Sequence, residues 1–423
     1  MPIVFIHGVN NRKGPGYDEA IAARDALFER VFLPAAGLDD TDVINPYWGG
    51  DGANFAFDLA CVPTGQDSVV RLGPTGDASF SMLVAAAAAA AAPEAPEAPD
   101  AMPVAAEAAA AAAPQWPRPD AVVLTIARER RNFVAALDVL YVAAAQSADG
   151  DVAELAGLAA HLAPYALAHE KEAPAWLAKV KNDKEFVVHL QQDLRAWAAG
   201  PEPTPPREVT LGFKETVWER VKKGSSHLSH EVGAFLGKPA WNAVRELVVP
   251  TVPRFLGDAF VYLSEQRGGT PAPGPIRARV IEALHEGSSK RTSSDPLIVV
   301  GHSLGGAIAY DVLSSFCPDI QVDVLCTVGS QVGLLEEIKV FGVSDRAVTA
   351  AVARKATRPP RIDHWINVFD YNDVLSYKLE PVFAGVTDYD YPTGELLHAH
   401  GAYFGQPSFF QRLGTRVQEV LGP

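Results

Sequence analysis

Cysteine and methionine are scarce in this chain, with three residues of each among 423. The spacing of Cys61, Cys317 and Cys326 fits no thiolate metal site, so we predict no metal centre built on cysteine. Cys317 and Cys326 fall on or beside predicted core elements and are expected to be buried thiols. A disulfide between them stays open at this level.

Positive charge is also in deficit, since 36 Lys and Arg face 51 Asp and Glu for a formal net charge of −15. This balance argues against nucleic-acid partners and against strong attraction to anionic membranes. The chain contains no transmembrane run, and it opens with a core strand rather than a secretory signal. We therefore expect a cytoplasmic protein, with signal-independent export left open. Oligomeric state is not indicated.

Apolar residues make up 48% of the chain, ample for a large core, and the most informative stretch is Asp295–Ser315. Leu297–Val300 is a short apolar run that is typical of a strand buried on both faces. The sequence GHSLGG follows at residues 301–306, and helical spacing resumes at once. A strand, a tight turn and a helix with one serine, Ser303, at the tip form the context of an exposed nucleophile.

The N-terminal fifty residues predict a second unit of parallel sheet. Pro2–Ile6 indicates a strand, Tyr17–Phe32 an amphipathic helix and Val43–Trp48 a further strand, which together make a right-handed βαβ unit. His7 follows the first strand directly, and we interpret it as a structural histidine that packs the following turn.

These motifs resemble the α/β-hydrolase family, and GHSLGG resembles its lipase and esterase branches. The resemblance implies an α/β fold with a mostly parallel sheet of about six strands, in which the family's usual first two strands are absent. It implies a core formed by residues 1–50 and 290–423, and a helical insertion at 51–289 that acts as a lid or a cap. An Ala/Pro-rich stretch at about 85–119 is expected to be a mobile linker inside this insertion.

The resemblance also implies a catalytic triad in the order Ser, Asp, His, with Ser303 as the nucleophile. Two acidic residues follow the strand Trp365–Phe369; Asp373 is the preferred triad acid and Asp370 the alternative. A late histidine precedes an aromatic pair; His400 is the preferred base and His398 the alternative.

An oxyanion hole is expected from the backbone N–H groups of Val9 and Leu304. The implied activity is hydrolysis of carboxylic esters with hydrophobic, lipid-like acyl groups, without a metal or cofactor. The expected partners are small-molecule or lipid esters, with no nucleic acid. Two alternatives stay open: a thioesterase or amidase that uses the same triad, and a non-enzymatic interaction protein on a hydrolase fold.

Overall fold

The computed structural model describes the two ends of the chain and most of its middle. The described residues are 1–39, 42–57, 59, 120–128, 132–146, 152–199, 216–223, 225, 240–265, 273–292, 295–352, 354–393 and 399–422. They belong to one unit, formed by Met1–Leu59 and Arg118–Pro423. The linker predicted at 85–119 and the cysteine Cys61 therefore lie outside the described residues.

Six strands of the described chain form one sheet in the order β2-β1-β3-β4-β6-β8, and every neighbouring pair is parallel. A separate pair, β5 and β7, is parallel as well. The strands are β1 (Pro2–Ile6), β2 (Asp42–Ile44), β3 (Ile298–His302), β4 (Val322–Val328), β5 (Ala356–Thr357), β6 (Ile362–Phe369), β7 (Phe383–Ala384) and β8 (Thr387–Asp390).

Helices connect these strands and fill the middle of the chain. In order they are α1 (Tyr17–Leu27), α2 (Leu33–Ala36), α3 (Val122–Arg128), α4 (Phe133–Gln146), α5 (Val152–Ala168), α6 (Asp183–Ala199), α7 (Ala240–Ser264), α8 (Pro275–Lys290), α9 (Leu304–Ser315), α10 (Val332–Glu337), α11 (Ala399–Ala402) and α12 (Pro407–Leu421). Residues 28–32 form a π-helical turn between α1 and α2, and residues 216–223 are helical.

Two apolar layers cover the two faces of the sheet. Side chains alternate between faces along a strand, so Ile3 and Phe5 enter one layer while Val4 and Ile6 enter the other. The first layer contains α1, α12 and the helices α3 to α6. The second contains α8, α9 and the end of α7. Burial on both faces explains why the central strands are continuous apolar runs.

The predicted fold class is confirmed: the protein is a mixed α/β structure with a parallel sheet of six strands in the described chain. The prediction of a strand over Val43–Trp48 is wrong at its C-terminal end, since β2 stops at Ile44. Pro46 lacks the N–H that a strand would donate, and Asn45 instead contacts the side chains of Arg24 and Asp25. The division into a core and an insertion at 51–289 stays a prediction.

Candidate functional site

Ser303 occupies a strained turn between β3 and α9. Its φ of 56° and ψ of −129° are unfavourable for a residue with a side chain. The turn is tight because α9 begins directly against β1: a Cβ on Gly305 would lie 2.2 Å from the carbonyl oxygen of Ile6. Only a glycine fits there, which is why the serine is flanked by this residue type.

The structure brings Ser303, His400 and Asp373 into one chain of hydrogen bonds. The Ser303 Oγ lies 2.7 Å from His400 Nε2, and His400 Nδ1 lies 2.9 Å from Asp373 Oδ2. His400 stands on the short helix α11, and Asp373 lies in the loop after β6. Groups arranged in this way can move a proton from a hydroxyl to an imidazole while a carboxylate holds the second ring nitrogen. Their catalytic roles stay a prediction.

Asp373 has two further donors that fix its orientation. The Leu375 N–H donates to Oδ1 at 3.0 Å, and the Tyr403 hydroxyl donates to Oδ2 at 3.1 Å. Burial raises the pKa of Tyr403, so its hydroxyl keeps its proton and remains a donor. Tyr403 is the first residue of the aromatic pair that follows His400, and the sequence analysis missed its contact with Asp373.

The two alternatives have different outcomes. Asp370 accepts hydrogen bonds from the N–H and the hydroxyl of Thr393, at 2.8 and 2.6 Å, and from the Asn372 N–H at 2.9 Å. These bonds close the loops after β6 and β8, and they direct Asp370 to Thr393 rather than to His400. His398 lies outside the described residues.

A second histidine, His302, supports the backbone that carries His400. Its Nε2–H donates to the carbonyl oxygen of His400 at 2.8 Å. Burial lowers the pKa of His302 to about 3, so the ring stays neutral at physiological pH. Its edge packs against Phe404, with ring centroids 5.3 Å apart. His302 thus positions α11 without taking part in the hydrogen-bond chain itself.

His7 holds the turn after β1. It bonds the Gly8 carbonyl through Nδ1 at 2.8 Å, accepts the Trp48 N–H at Nε2, and stacks on the Trp48 indole. Burial lowers its pKa to about 4, which keeps it neutral. These contacts agree with the structural interpretation of this residue.

The loop after His7 contacts the serine directly. A Cβ on Gly8 would lie 2.7 Å from the Cβ of Ser303, so the backbone at residue 8 packs against the nucleophile candidate. Within the described part of the chain no acceptor bonds the N–H of Val9, the next residue. Leu304 is the first residue of α9, where an N–H has no acceptor within the helix. The role of these two amides as oxyanion donors stays a prediction.

A buried carboxylate from the middle of the chain fastens this loop. Asp258, fully buried on α7, accepts the N–H of Asn10 at 2.8 Å and the N–H of Ala53 at 2.8 Å. It also binds the guanidinium of Arg12 through two bonds, of 2.5 and 3.2 Å. Asn10 has a φ of 58°, so these contacts hold the loop in an uncommon conformation. Sequence reasoning missed Asp258; the one signal was an acidic residue inside an apolar helical pattern.

The same helix is joined to the serine-bearing helix. One turn beyond Asp258, the hydroxyl of Tyr262 donates to Asp311 on α9 at 2.5 Å. Asp311 also accepts from Arg277 of α8 at 2.9 Å, and all three side chains are buried. Helix α7 therefore bridges the loop after β1 and the helix that begins at Ser303.

Two surveys of the described residues bear on other functions. No group of three or more His, Cys, Asp or Glu side chains in this part of the chain is placed to hold a metal ion. No described helix combines the length and the apolar character that a membrane span requires. Cys317 and Cys326 are free, and burial raises their pKa values to about 11 and about 12, which makes them inert thiols.

Comparison with known proteins gives one informative similarity. No family model matches the sequence, and no solved structure matches it. Over 126 residues the chain is 32% identical to a probable phospholipase of Saccharomyces cerevisiae, a mitochondrial protein by its name. That segment covers 29% of this chain and spans only 16% of the relative's length. The likeness is consistent with a lipase-like hydrolase. The expectation of a cytoplasmic location is wrong by this comparison, because the matched relative is mitochondrial.

Proposed function

We propose that the protein is a serine hydrolase that cleaves carboxylic esters of lipid-like substrates, with phospholipids as the leading class. The observation that carries this proposal is the hydrogen-bond chain from Ser303 through His400 to Asp373, with links of 2.7 and 2.9 Å at a strained strand–helix turn. The similarity to a protein named as a phospholipase supports the substrate class.

In the first half-reaction, His400 takes the hydroxyl proton while the Ser303 oxygen attacks the acyl carbonyl carbon. Asp373 holds the imidazole in the required tautomer and stabilises its cation. The N–H groups of Val9 and Leu304 bind the carbonyl oxygen as it becomes negative, and each such donor contributes about 3 kcal/mol in the transition state. The tetrahedral intermediate collapses, the alcohol leaves with the proton from His400, and an acyl-enzyme remains. Water then removes the acyl group by the reverse sequence, so no step requires a metal or a cofactor.

A small, mostly apolar cavity lies beside Phe404, four residues after His400, and on this proposal it takes the hydrophobic acyl group. Its volume is about 220 Å³, and α1, α4 and α5 contribute the residues that line it together with Phe404 and Gly405. Phe404 also packs against His302, the residue that supports His400. The helices that follow the predicted linker would on this proposal form a wall of the acyl site, which favours a fixed cap over a mobile lid.

The test is Ser303→Ala, assayed with a short-chain chromogenic ester and by covalent labelling with a fluorophosphonate. We expect both signals to disappear, with turnover reduced about 10³-fold or more. The matched control is Ser314→Ala at the other end of α9, where the hydroxyl bonds only the local Tyr310 carbonyl. The control should keep full activity and labelling.

The outcomes separate the remaining hypotheses. Undiminished ester turnover by a folded Ser303→Ala protein would refute the proposal. Labelling of Ser303 without turnover of any ester would point to a thioesterase or an amidase with the same triad. Absence of labelling in the unmodified protein would indicate a non-enzymatic interaction protein.

A further inference from the structure

Residues 334–361 reverse the charge of the chain locally. This stretch, the basic segment, contains six Lys and Arg and three Asp and Glu. It contributes a formal +3 to a chain of −15, so the remaining residues carry −18. We propose that the basic segment is a docking surface for anionic phospholipid bilayers, an inference that rests on the proposed lipid substrate. The cations are Lys339, Arg346, Arg354, Lys355, Arg358 and Arg361.

Part of this positive charge is uncompensated. Arg346 and Lys355 are exposed, and no carboxylate within the described residues pairs with either. Both line one groove of about 440 Å³, which Lys339 and Arg354 also line. Lys339 and Arg354 have acidic partners, but Arg354 lies 60% exposed in its pair and retains free donors. Glu336 and Glu337 line the groove as well, and Glu336 is paired with Lys339. Four cations against two carboxylates leave the groove with a net positive charge, which suits the phosphate groups of lipid head groups.

Exposed aliphatic side chains accompany the cations. Leu334, Ile338, Val343 and Val352 are 38%, 62%, 46% and 53% exposed. The described chain has twelve exposed large apolar side chains, and four of them lie in this segment of only 28 residues. Cations beside exposed apolar side chains form the surface that binds at a membrane interface, where the charge meets head groups and the aliphatic groups enter the acyl boundary. A loop that faced only water would not need this combination.

The start of the basic segment lies at the same sheet edge as Ser303. Helix α10 follows the carboxyl end of β4, and the side chain of Gln331 donates to the Leu375 carbonyl at 2.6 Å. The Tyr377 N–H donates to the Ser330 carbonyl at 3.2 Å, which joins this helix to the loop after β6. That loop carries two more exposed apolar side chains, Tyr371 and Val374.

The basic segment runs from this edge to Arg361, directly before the first residue of β6, so docking would bind the side of the molecule that joins the two edges of the sheet. The charge distribution would set the orientation, because the acidic remainder of the chain is repelled by anionic head groups while the basic segment is attracted. A protein partner would also accept apolar groups, but the excess of unpaired cations around an open groove favours a dense anionic surface.

The experiment uses the full chain as Ser303→Ala, so that binding is measured without turnover, in co-sedimentation with vesicles. Vesicles of phosphatidylcholine mixed with phosphatidylserine should bind the protein, and high salt should release it. Vesicles of phosphatidylcholine alone should bind far less. Changing Arg346→Gln and Lys355→Gln together should weaken binding about 25-fold, at about fivefold for each cation near a membrane surface. The control pair Lys171→Gln and Lys179→Gln removes two exposed cations elsewhere and should change nothing.

An apolar variant gives a second measurement. Val352→Asp should also weaken vesicle binding, because it places a charge where an aliphatic group meets lipid. Equal binding by the test and control pairs, or equal binding to both vesicle types, would overturn the inference. Self-association in solution that Val352→Asp abolishes would overturn it too, since the segment would then be an interface between copies. The charge variants made with Ser303 intact should still hydrolyse a soluble short-chain ester. If all vesicle-binding results come out as predicted but the protein with Ser303 intact cleaves no ester, the docking surface stands and the proposed function fails.

Discussion

Removal of the Asp258 carboxylate should show whether the geometry of the loop after β1 affects turnover without any change in substrate contacts. In Asp258→Ala, the N–H groups of Asn10 and Ala53 lose their acceptor, and Arg12 loses its counter-ion. Each buried donor left without a partner costs about 1–3 kcal/mol. Arg12 is 34% exposed and can recover part of its hydration, so we expect the free energy of unfolding to fall by about 3–5 kcal/mol.

The effect on turnover follows from Asn10, whose N–H donates to the carboxylate. Asn10 has a φ of 58°, and without the Asp258 contact it is free to relax towards negative φ. That relaxation would turn the neighbouring Val9 N–H away from the oxyanion. Loss of one such donor lowers kcat about 10²–10³-fold. Because Asp258 touches no substrate in this scheme, KM for a short-chain ester should change by less than about threefold, since a donor to the oxyanion acts in the transition state.

The measurement is steady-state kinetics on protein shown by circular dichroism and urea titration to be folded. Asp258→Asn keeps one oxygen acceptor and should fall between the unmodified protein and Asp258→Ala in both stability and kcat. The control is Arg279→Ala, which breaks an exposed ion pair with Asp51, a residue close in sequence to Ala53. It removes a charge contact to the same region without touching the Asn10 N–H. A folded Asp258→Ala protein with unchanged kcat would refute the reasoning, because the loop would then keep its geometry without the carboxylate.

Two further predictions concern acidic and histidine residues of the site. Asp373→Asn should lower kcat about 10⁴-fold, because an amide cannot hold the imidazole in the required tautomer. Asp370→Asn should mainly lower the urea midpoint. The opposite result would make Asp370 the acid of the triad. Burial lowers the pKa of His302 to about 3 and of His7 to about 4, so below pH 6.5 the unfolded chain binds two protons that the folded chain does not. The two histidines should therefore lower the free energy of unfolding by about 2.8 kcal/mol per pH unit as pH falls from 6.5 to 4. Burial raises the pKa of Asp138 to about 6, so this carboxyl stabilises the folded protein by about 1.4 kcal/mol per pH unit as pH falls from 6 to 4. Urea titrations should therefore show a net fall in the free energy of unfolding on acidification. The fall should be steeper in Asp138→Asn, which lacks the opposing carboxyl.

Features encoded by neighbouring residues could be predicted from the sequence. The strand, turn and helix around Ser303 occupy one continuous stretch, and a buried parallel strand has an unmistakable apolar run. The predicted strand Trp365–Phe369 lies within β6, which begins three residues earlier, at Ile362. Strand β8 was not located, because Thr387–Asp390 is polar and half-exposed at the edge of the sheet. An edge strand lacks the burial that produces the pattern.

The choice between Asp370 and Asp373 depended on residues distant in the chain. Both follow the same strand, and both are nearly fully buried, so neither their place after the strand nor their burial distinguishes them. The difference comes from Thr393, which satisfies Asp370, and from Tyr403 and His400, which converge on Asp373. These partners lie 23 to 30 residues away, and no periodicity or composition reports such pairings.

Helix α7 shows why a region without motifs can still be required by a site. Asp258 and Tyr262 are one turn apart, so they lie on one face of the helix. The first holds the loop that carries the proposed oxyanion donor, and the second bonds Asp311 on the helix that begins at the nucleophile candidate. A change in the position of α7 would therefore move both sides of the oxyanion hole together. Buried charges in both contacts resist such movement, because separating either carboxylate from its donors would leave it unpaired in the protein interior.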